Sequence, residues 1–117
     1  MPHVVLNGTV RIDDIFNTMK SVFIRKESGI LKTDKMYMSR DKTDILIEAL
    51  TIEGGVKRSF FALIGRRDEG VVVRIYEGSD VEKTVGVKSI LSEIAKQLLG
   101  AFPNLTIGET NLLEYLS

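Results

Sequence analysis

The chain has no cysteine and no tryptophan, and only one histidine and two prolines among its 117 residues. Without cysteine, disulfides, zinc–thiolate sites and cysteine nucleophiles are all excluded. Basic and acidic side chains number sixteen each, so the formal net charge is zero. A nucleic-acid binder usually carries a basic excess because neutralising phosphates supplies most of its affinity. The charge balance therefore makes nucleic acid a possible partner but not the favoured one.

Long apolar runs are also lacking. No run approaches the roughly 20 residues that span a bilayer. The N-terminus, Met1-Pro2-His3-Val4, lacks the charged segment and apolar stretch that are typical of a signal peptide. The sequence therefore predicts a soluble cytoplasmic protein with no membrane partner. A mass of 13.1 kDa fits a single domain over residues 1–117.

No catalytic constellation can be assembled from these residues. His3 lies near the N-terminus, where nothing is expected to hold it as a general base. Asp13 and Asp14 fit a helix start better than a cation site shared with Glu48 or Glu53. The sequence thus predicts no catalytic residue, no metal and no cofactor, and an enzyme is the least favoured class of function.

What the sequence does contain is a block of three predicted strands with apolar side chains on both faces. They span Asp44–Ile52, Val56–Gly65 and Val71–Glu77. In the second strand Phe60 and Ala62 would point one way, while Phe61 and Leu63 would point the other. A strand that is wet on one side alternates apolar and polar residues instead. Both faces of this sheet therefore need a cover.

The remaining elements predict an α+β fold. Strands are expected at Val4–Val10 and Ile30–Arg40, and residues with helical spacing follow Arg11 and surround Ile90. The stripes are Ile12, Ile15, Phe16, Met19, Val22 and Phe23, then Val87, Ile90, Leu91, Ile94, Leu98 and Phe102. The order is β-α-β-β-β-β-α, with one more short β or α element after Pro103 as an option. It predicts a two-layer sandwich: an antiparallel sheet of about five strands with two helices on one face.

This order of elements, across Val4–Phe102, resembles the TBP-like or helix-grip arrangement, and it is similar to what is expected of small archaeal proteins with that fold. TATA-binding proteins use a paired repeat and aromatic wedges on a basic concave sheet. This chain has one repeat and no clear pair of phenylalanines placed for intercalation. The resemblance therefore implies the fold and not DNA binding, because a fold does not fix a function.

Two groups of residues are candidates for ligand binding. Lys57, Arg58, Arg66, Arg67 and Arg74 flank or enter neighbouring strands and would line a basic strip for nucleic acid or an acidic ligand. The alternative is that these charges serve solubility and block edge pairing.

The second group is Val87, Lys88 and Ser89, which follow Gly86 where the second predicted helix opens. Free N–H groups and the helix dipole attract anions at such a place. The phosphate-loop spacing is absent, however, so an ordinary helix start is the favoured interpretation.

A third group concerns partners. Tyr37, Leu46, Leu50, Phe61 and Tyr76 are predicted for the sheet face that points away from the helices. They are either ordinary core or an apolar face used for pairing, since large apolar patches seldom stay bare. The favoured hypothesis is a non-enzymatic assembly module that forms a homodimer through this face. The alternative is a ligand- or nucleic-acid-binding domain that uses the basic strip.

Overall fold

The computed structural model describes residues 1–117 as seven strands, two α-helices and one 3-10 helix. The strands are β1 (His3–Asn7), β2 (Phe23–Lys26), β3 (Gly29–Met38), β4 (Asp44–Glu53), β5 (Val56–Arg67), β6 (Gly70–Ile75) and β7 (Thr106–Thr110). The helices are α1 (Ile12–Thr18) and α2 (Val85–Ala101), and the 3-10 helix spans Leu113–Tyr115.

All seven strands form one antiparallel sheet in the order β2-β3-β4-β5-β6-β1-β7. The sheet curls into a half-barrel. Helix α2 packs against β1, β3, β4 and β6, whereas α1 packs mainly against β3 and β4. The predicted α+β composition and antiparallel pairing are confirmed. The prediction of a five-stranded, two-layer sandwich with two helices on one face is wrong, because the sheet has seven strands and is curled.

One of the missed strands is β2. The apolar stripe from Ile12 to Phe23 predicted a single helix, but α1 ends at Thr18 and the backbone of Met19 is extended, with ψ at 141°. Met19 and Val22 of the stripe lie between the two elements, and its last residue, Phe23, begins β2, where it pairs with Lys32 of β3. Only the seven residues of α1 form a helix. Beyond them, strand pairing overrides the helical spacing of the apolar residues.

The other strand beyond the predicted five is β7, in a segment for which the sequence left one more short β or α element open. Both elements form. Residues Thr106–Thr110 pair with β1, and the 3-10 helix follows. Because β1 pairs with β6 on its other side, it is an interior strand of the sheet rather than an edge.

The core lies on the side of the sheet that holds α2. Along β4 burial alternates, so that Ile45, Ile47 and Ala49 are buried while Leu46 and Leu50 are only half-buried. The inward side chains pack with those of α2, among them Ile90, Leu91, Ile94 and Leu98. We call the opposite side of the sheet the outer face.

The C-terminal segment does not cover the outer face. Leu112 is buried in the core cluster, and Tyr115 and Leu116 pack against that same cluster. The 3-10 helix contacts α2. The outer face is therefore left without a second layer.

Neither helix is both long and apolar enough to cross a membrane.

Candidate interaction face

The structure brings the five predicted interface residues together on the outer face. Tyr37 of β3 pairs with Leu46 of β4, and Glu48 pairs with Phe61 of β5. Leu50 lies two residues from Glu48, on the same side of β4. Tyr76 follows β6, and its N–H donates to the Phe61 carbonyl at 2.8 Å. The two tyrosines stay 47% and 39% exposed, so aromatic surface faces solvent here.

Two open depressions of about 430 Å³ each indent this face. We call the first the tyrosine hollow; it is lined by Tyr37, Leu46, Leu63, Arg74 and Tyr76, with Asp44 and Glu77 among the polar residues around it. The second hollow includes Lys32, Glu48, Leu50, Ser59, Phe61 and Ser79. Aromatic and aliphatic side chains with a few polar groups are the usual lining of a binding surface.

Charged side chains of both signs lie among the apolar residues of this face. The Tyr37 hydroxyl donates to Glu48 Oε2, and this hydrogen bond to a carboxylate raises the pKa of Tyr37 above its ordinary value, since an ionised phenol would face a negative charge. Arg74 lies 3.3 Å from Glu77. Asp44 accepts a hydrogen bond from Thr43 and has no cationic partner. The face is thus apolar with mixed charge rather than basic.

The five basic residues do not form a strip. Lys57 and Arg66 lie near opposite ends of β5, roughly 30 Å apart at about 3.4 Å per residue. Arg58 points to the core side, where it lies 3.6 Å from Glu53 and 3.4 Å from Glu82. Arg67 is adjacent to Arg66 and therefore points to the other side of the sheet. Arg74 is paired with Glu77. The five cations are therefore spread along the sheet and over both of its faces.

An internal carboxylate occupies the start of α2, where the sequence indicated an anion site. Glu53 Oε1 accepts from the Gly86 N–H at 2.8 Å, and Glu53 Oε2 accepts from the Thr84 hydroxyl at 2.7 Å. The N–H groups of Val87 and Lys88 donate to the Thr84 hydroxyl and carbonyl, at 3.2 and 3.0 Å. The predicted anion-binding amides are therefore already used within the chain.

Ser89, the third predicted anion-site residue, lies beside this carboxylate in a depression of about 240 Å³ that Gly86 also lines. No local pattern in the sequence indicates the pairing of Glu53 with α2, because Glu53 and Thr84 are 31 residues apart. Asp13 pairs with Arg11 at 2.8 Å. No group of three His, Asp or Glu side chains is placed to hold a metal ion.

The pKa of Glu53 reflects two opposing effects. Partial burial alone would raise it, because desolvation penalises the charged form. Hydrogen bonds from Thr84, Gly86 and Thr51, together with the charge of Arg58, outweigh that effect and hold the pKa of Glu53 below its ordinary value of 4.5. The ionised carboxylate therefore binds α2 to β4.

This pKa shift predicts a pH dependence of stability. Because the pKa of Glu53 is lower in the folded chain, the contribution of Glu53 is complete above pH 4.5 and is lost as the pH falls through the folded-state pKa. Urea unfolding between pH 2.5 and 7 should show the Glu53→Gln variant less stable than wild type near neutrality. The difference should shrink in acid. A stability difference between wild type and Glu53→Gln that does not change with pH would contradict the lowered pKa of Glu53.

No family model matches this chain, and no curated protein and no solved structure is detectably similar to it. The resemblance to TBP-like proteins therefore stays a prediction.

Proposed function

We propose that this protein is a non-enzymatic assembly module that forms a homodimer by packing the outer faces of two copies together. The observation that carries the proposal is the uncovered outer face itself. Leu46, Leu50 and Phe61 lie there only half-buried, with Leu46 beside the exposed Tyr37 and Phe61 beside the exposed Tyr76. Single exposed apolar residues need no explanation, but a contiguous patch of them is typical of a protein–protein interface. The cytoplasm stays the expected location of this dimer.

The size of the face supports this proposal. Strands β3 to β6 are spaced about 4.8 Å apart, and the longest run for ten to twelve residues at about 3.3 Å each. Their flat footprint is roughly 600 Å². A standard interface buries about 800 Å² of accessible surface per partner, and side chains add relief to a flat footprint. Before side-chain relief is counted, the face is therefore about three-quarters of a standard interface, which is enough for a weak dimer.

A second copy suits this face better than a partner of one charge sign. Lys32 and Lys57 share the outer face with Asp44 and Glu48, so one copy offers both signs to the other. A two-fold interface uses the same patch twice and must be self-complementary. The dispersed arginines, by contrast, lend no support to a nucleic-acid surface.

The sheet edges favour packing through the face over pairing at the edge. Strand β2 is four residues long and ends in Arg25 and Lys26. Strand β7 is five residues long, contains Gly108 and pairs with β1 through a register shift. Short, charged or irregular edges discourage strand addition from another molecule. Face-to-face packing of two sheets is therefore favoured over edge pairing.

The dimer is tested by Leu46→Glu. Leu46 lies at the centre of the face and is half-buried in the single chain, so a charge there should be tolerated by the monomer and desolvated in the dimer. We expect sedimentation velocity to show a dimer for wild type at tens of micromolar. The dissociation constant should rise by about 100-fold or more in the variant, which corresponds to ~2.7 kcal/mol.

The matched control is Leu113→Glu, because Leu113 is 64% exposed and lies on the 3-10 helix, away from the outer face. It should leave the dimer unchanged. Circular dichroism melts of both variants should check that the monomer stays folded. A wild-type chain that sediments as a monomer at several hundred micromolar would refute the proposal, as would a Leu46→Glu dimer of unchanged affinity.

A further inference from the structure

Phe23 is an exposed aromatic side chain on the outer face. It pairs with Lys32 in the β2–β3 ladder, whereas its neighbour Ile24 pairs with Leu31 and packs against the core. Alternation along the strand therefore directs Phe23 outward. It is 64% exposed, more than any other aromatic residue of the chain. Most of this large apolar side chain is therefore exposed to solvent in the single chain.

The tyrosine hollow on the same face is a suitable receptor for such a side chain. Its volume is about 430 Å³, and Leu46, Leu63 and the two tyrosines supply apolar and aromatic surface. A cavity of about 150 Å³ is enough to hold benzene, so a phenyl ring fits with room for its neighbours. Aromatic anchors seated in pockets dominate the energy of most protein interfaces.

Phe23 cannot reach this hollow within one molecule. Phe23 is level with Lys32 and Leu50 in the ladder, whereas the hollow includes Leu46, which lies four residues further along β4 and two strands from β2. At about 3.3 Å per residue and about 4.8 Å per strand, this separation is roughly 16 Å. A two-fold axis lying in the plane between two stacked sheets brings the β2 side of one copy over the centre of the other. Each copy then contributes one aromatic side chain and one hollow. The same contact is made twice, so the interface is closed at two copies.

We infer that Phe23 of each copy inserts into the tyrosine hollow of its partner, an inference that rests on the proposed dimer. Charge supports the same orientation. Arg25 lies two residues from Phe23 on the same side of β2, is exposed and has no carboxylate within ion-pair distance. Asp44 lies at the hollow and also has no cation. Arg25 of one copy pairs with Asp44 of the other.

A double-mutant cycle on Phe23 and Tyr76 tests the contact. Each of Phe23→Ala and Tyr76→Ala should raise the dimer dissociation constant at least tenfold, measured by sedimentation or by dilution calorimetry. The double variant should be no more than about threefold weaker than the weaker single variant. Residues this far apart in one protomer act independently unless the interface joins them. Leu113→Ala, at the same 64% exposure, is the control and should change nothing.

The charge pair has its own test. Arg25→Glu should weaken the dimer, and Arg25→Glu combined with Asp44→Arg should recover most of the affinity. Failure to recover would overturn this orientation, as would multiplicative effects in the Phe23–Tyr76 cycle. In both cases a dimer that still depends on Leu46 leaves the proposed function intact.

Two further outcomes are informative. A wild-type monomer removes the dimer and this inference together. A series of species larger than the dimer would mean that Phe23 enters the next molecule head-to-tail, and it would overturn the reciprocal exchange.

Discussion

Gly70→Ala should strongly destabilise the fold. Gly70 has φ at +149°, where residues with a side chain are strained. A Cβ there would lie 1.9 Å from the Leu6 carbonyl oxygen, which belongs to the neighbouring strand β1. Strain and clash together should lower the free energy of unfolding by at least ~3 kcal/mol. A thermal melt should show a loss of roughly 10 °C or more.

Gly100→Ala is the matched control for this experiment. Gly100 lies in the last turn of α2, and a Cβ there would meet no atom within 4 Å. Alanine favours a helix over glycine by about 1 kcal/mol, so this variant should be slightly more stable than wild type. If the two alanine variants have the same melting temperature, the backbone of β6 at Gly70 does not approach β1 as closely as the structure shows.

The same strand pairs explain what could be predicted from the sequence. Strands β4 and β5 form a hairpin whose turn, Gly54-Gly55, and two-residue period are local properties of the chain. Both strands begin where the sequence placed them, at Asp44 and Val56. Parity along each strand also assigned Leu46, Leu50 and Phe61 to one face. Local patterning is therefore enough for this part of the sheet.

Strands β2 and β7 depend on partners that local patterning does not reveal. The residues around Phe23 have helical spacing, yet they pair with β3 once the chain turns at Gly29. The pairing of β7 with β1 joins residues about a hundred positions apart, such as Val4 and Thr110. An apolar spacing over a few residues cannot distinguish these outcomes, because tertiary contacts decide them.

The candidate sites divide in the same way. Lys57 and Arg58 are consecutive in a strand, so they must point to opposite faces, and the predicted strip was already divided by this alternation. The use of Glu53 as the anion at the start of α2 had no local signal. The Glu53 carboxylate takes the place that an external anion would occupy. In both cases the backbone N–H groups and the helix dipole attract a negative charge.

The second large effect concerns this carboxylate. Glu53→Ala should lower the free energy of unfolding by about 2–3 kcal/mol. The Thr84 hydroxyl and the Gly86 N–H lose their acceptor, and Arg58 loses one of its two carboxylates. Gly86→Ala should act on the same contact from the other side, since a Cβ there would lie 2.5 Å from the Glu53 carboxyl carbon. We expect a loss of about 2 kcal/mol where a helical glycine-to-alanine change normally stabilises.

Urea unfolding of the double variant identifies the cause. If Gly86→Ala destabilises only by displacing the carboxylate, then Glu53→Ala removes the obstacle and alanine regains its helical advantage. Glu53→Ala/Gly86→Ala should therefore be at least as stable as Glu53→Ala alone, with the two changes strongly non-additive. Additive losses would mean that the methyl group at position 86 conflicts with something other than Glu53. The rescue is expected because the three atoms nearest to a Cβ at Gly86 all belong to the Glu53 carboxylate.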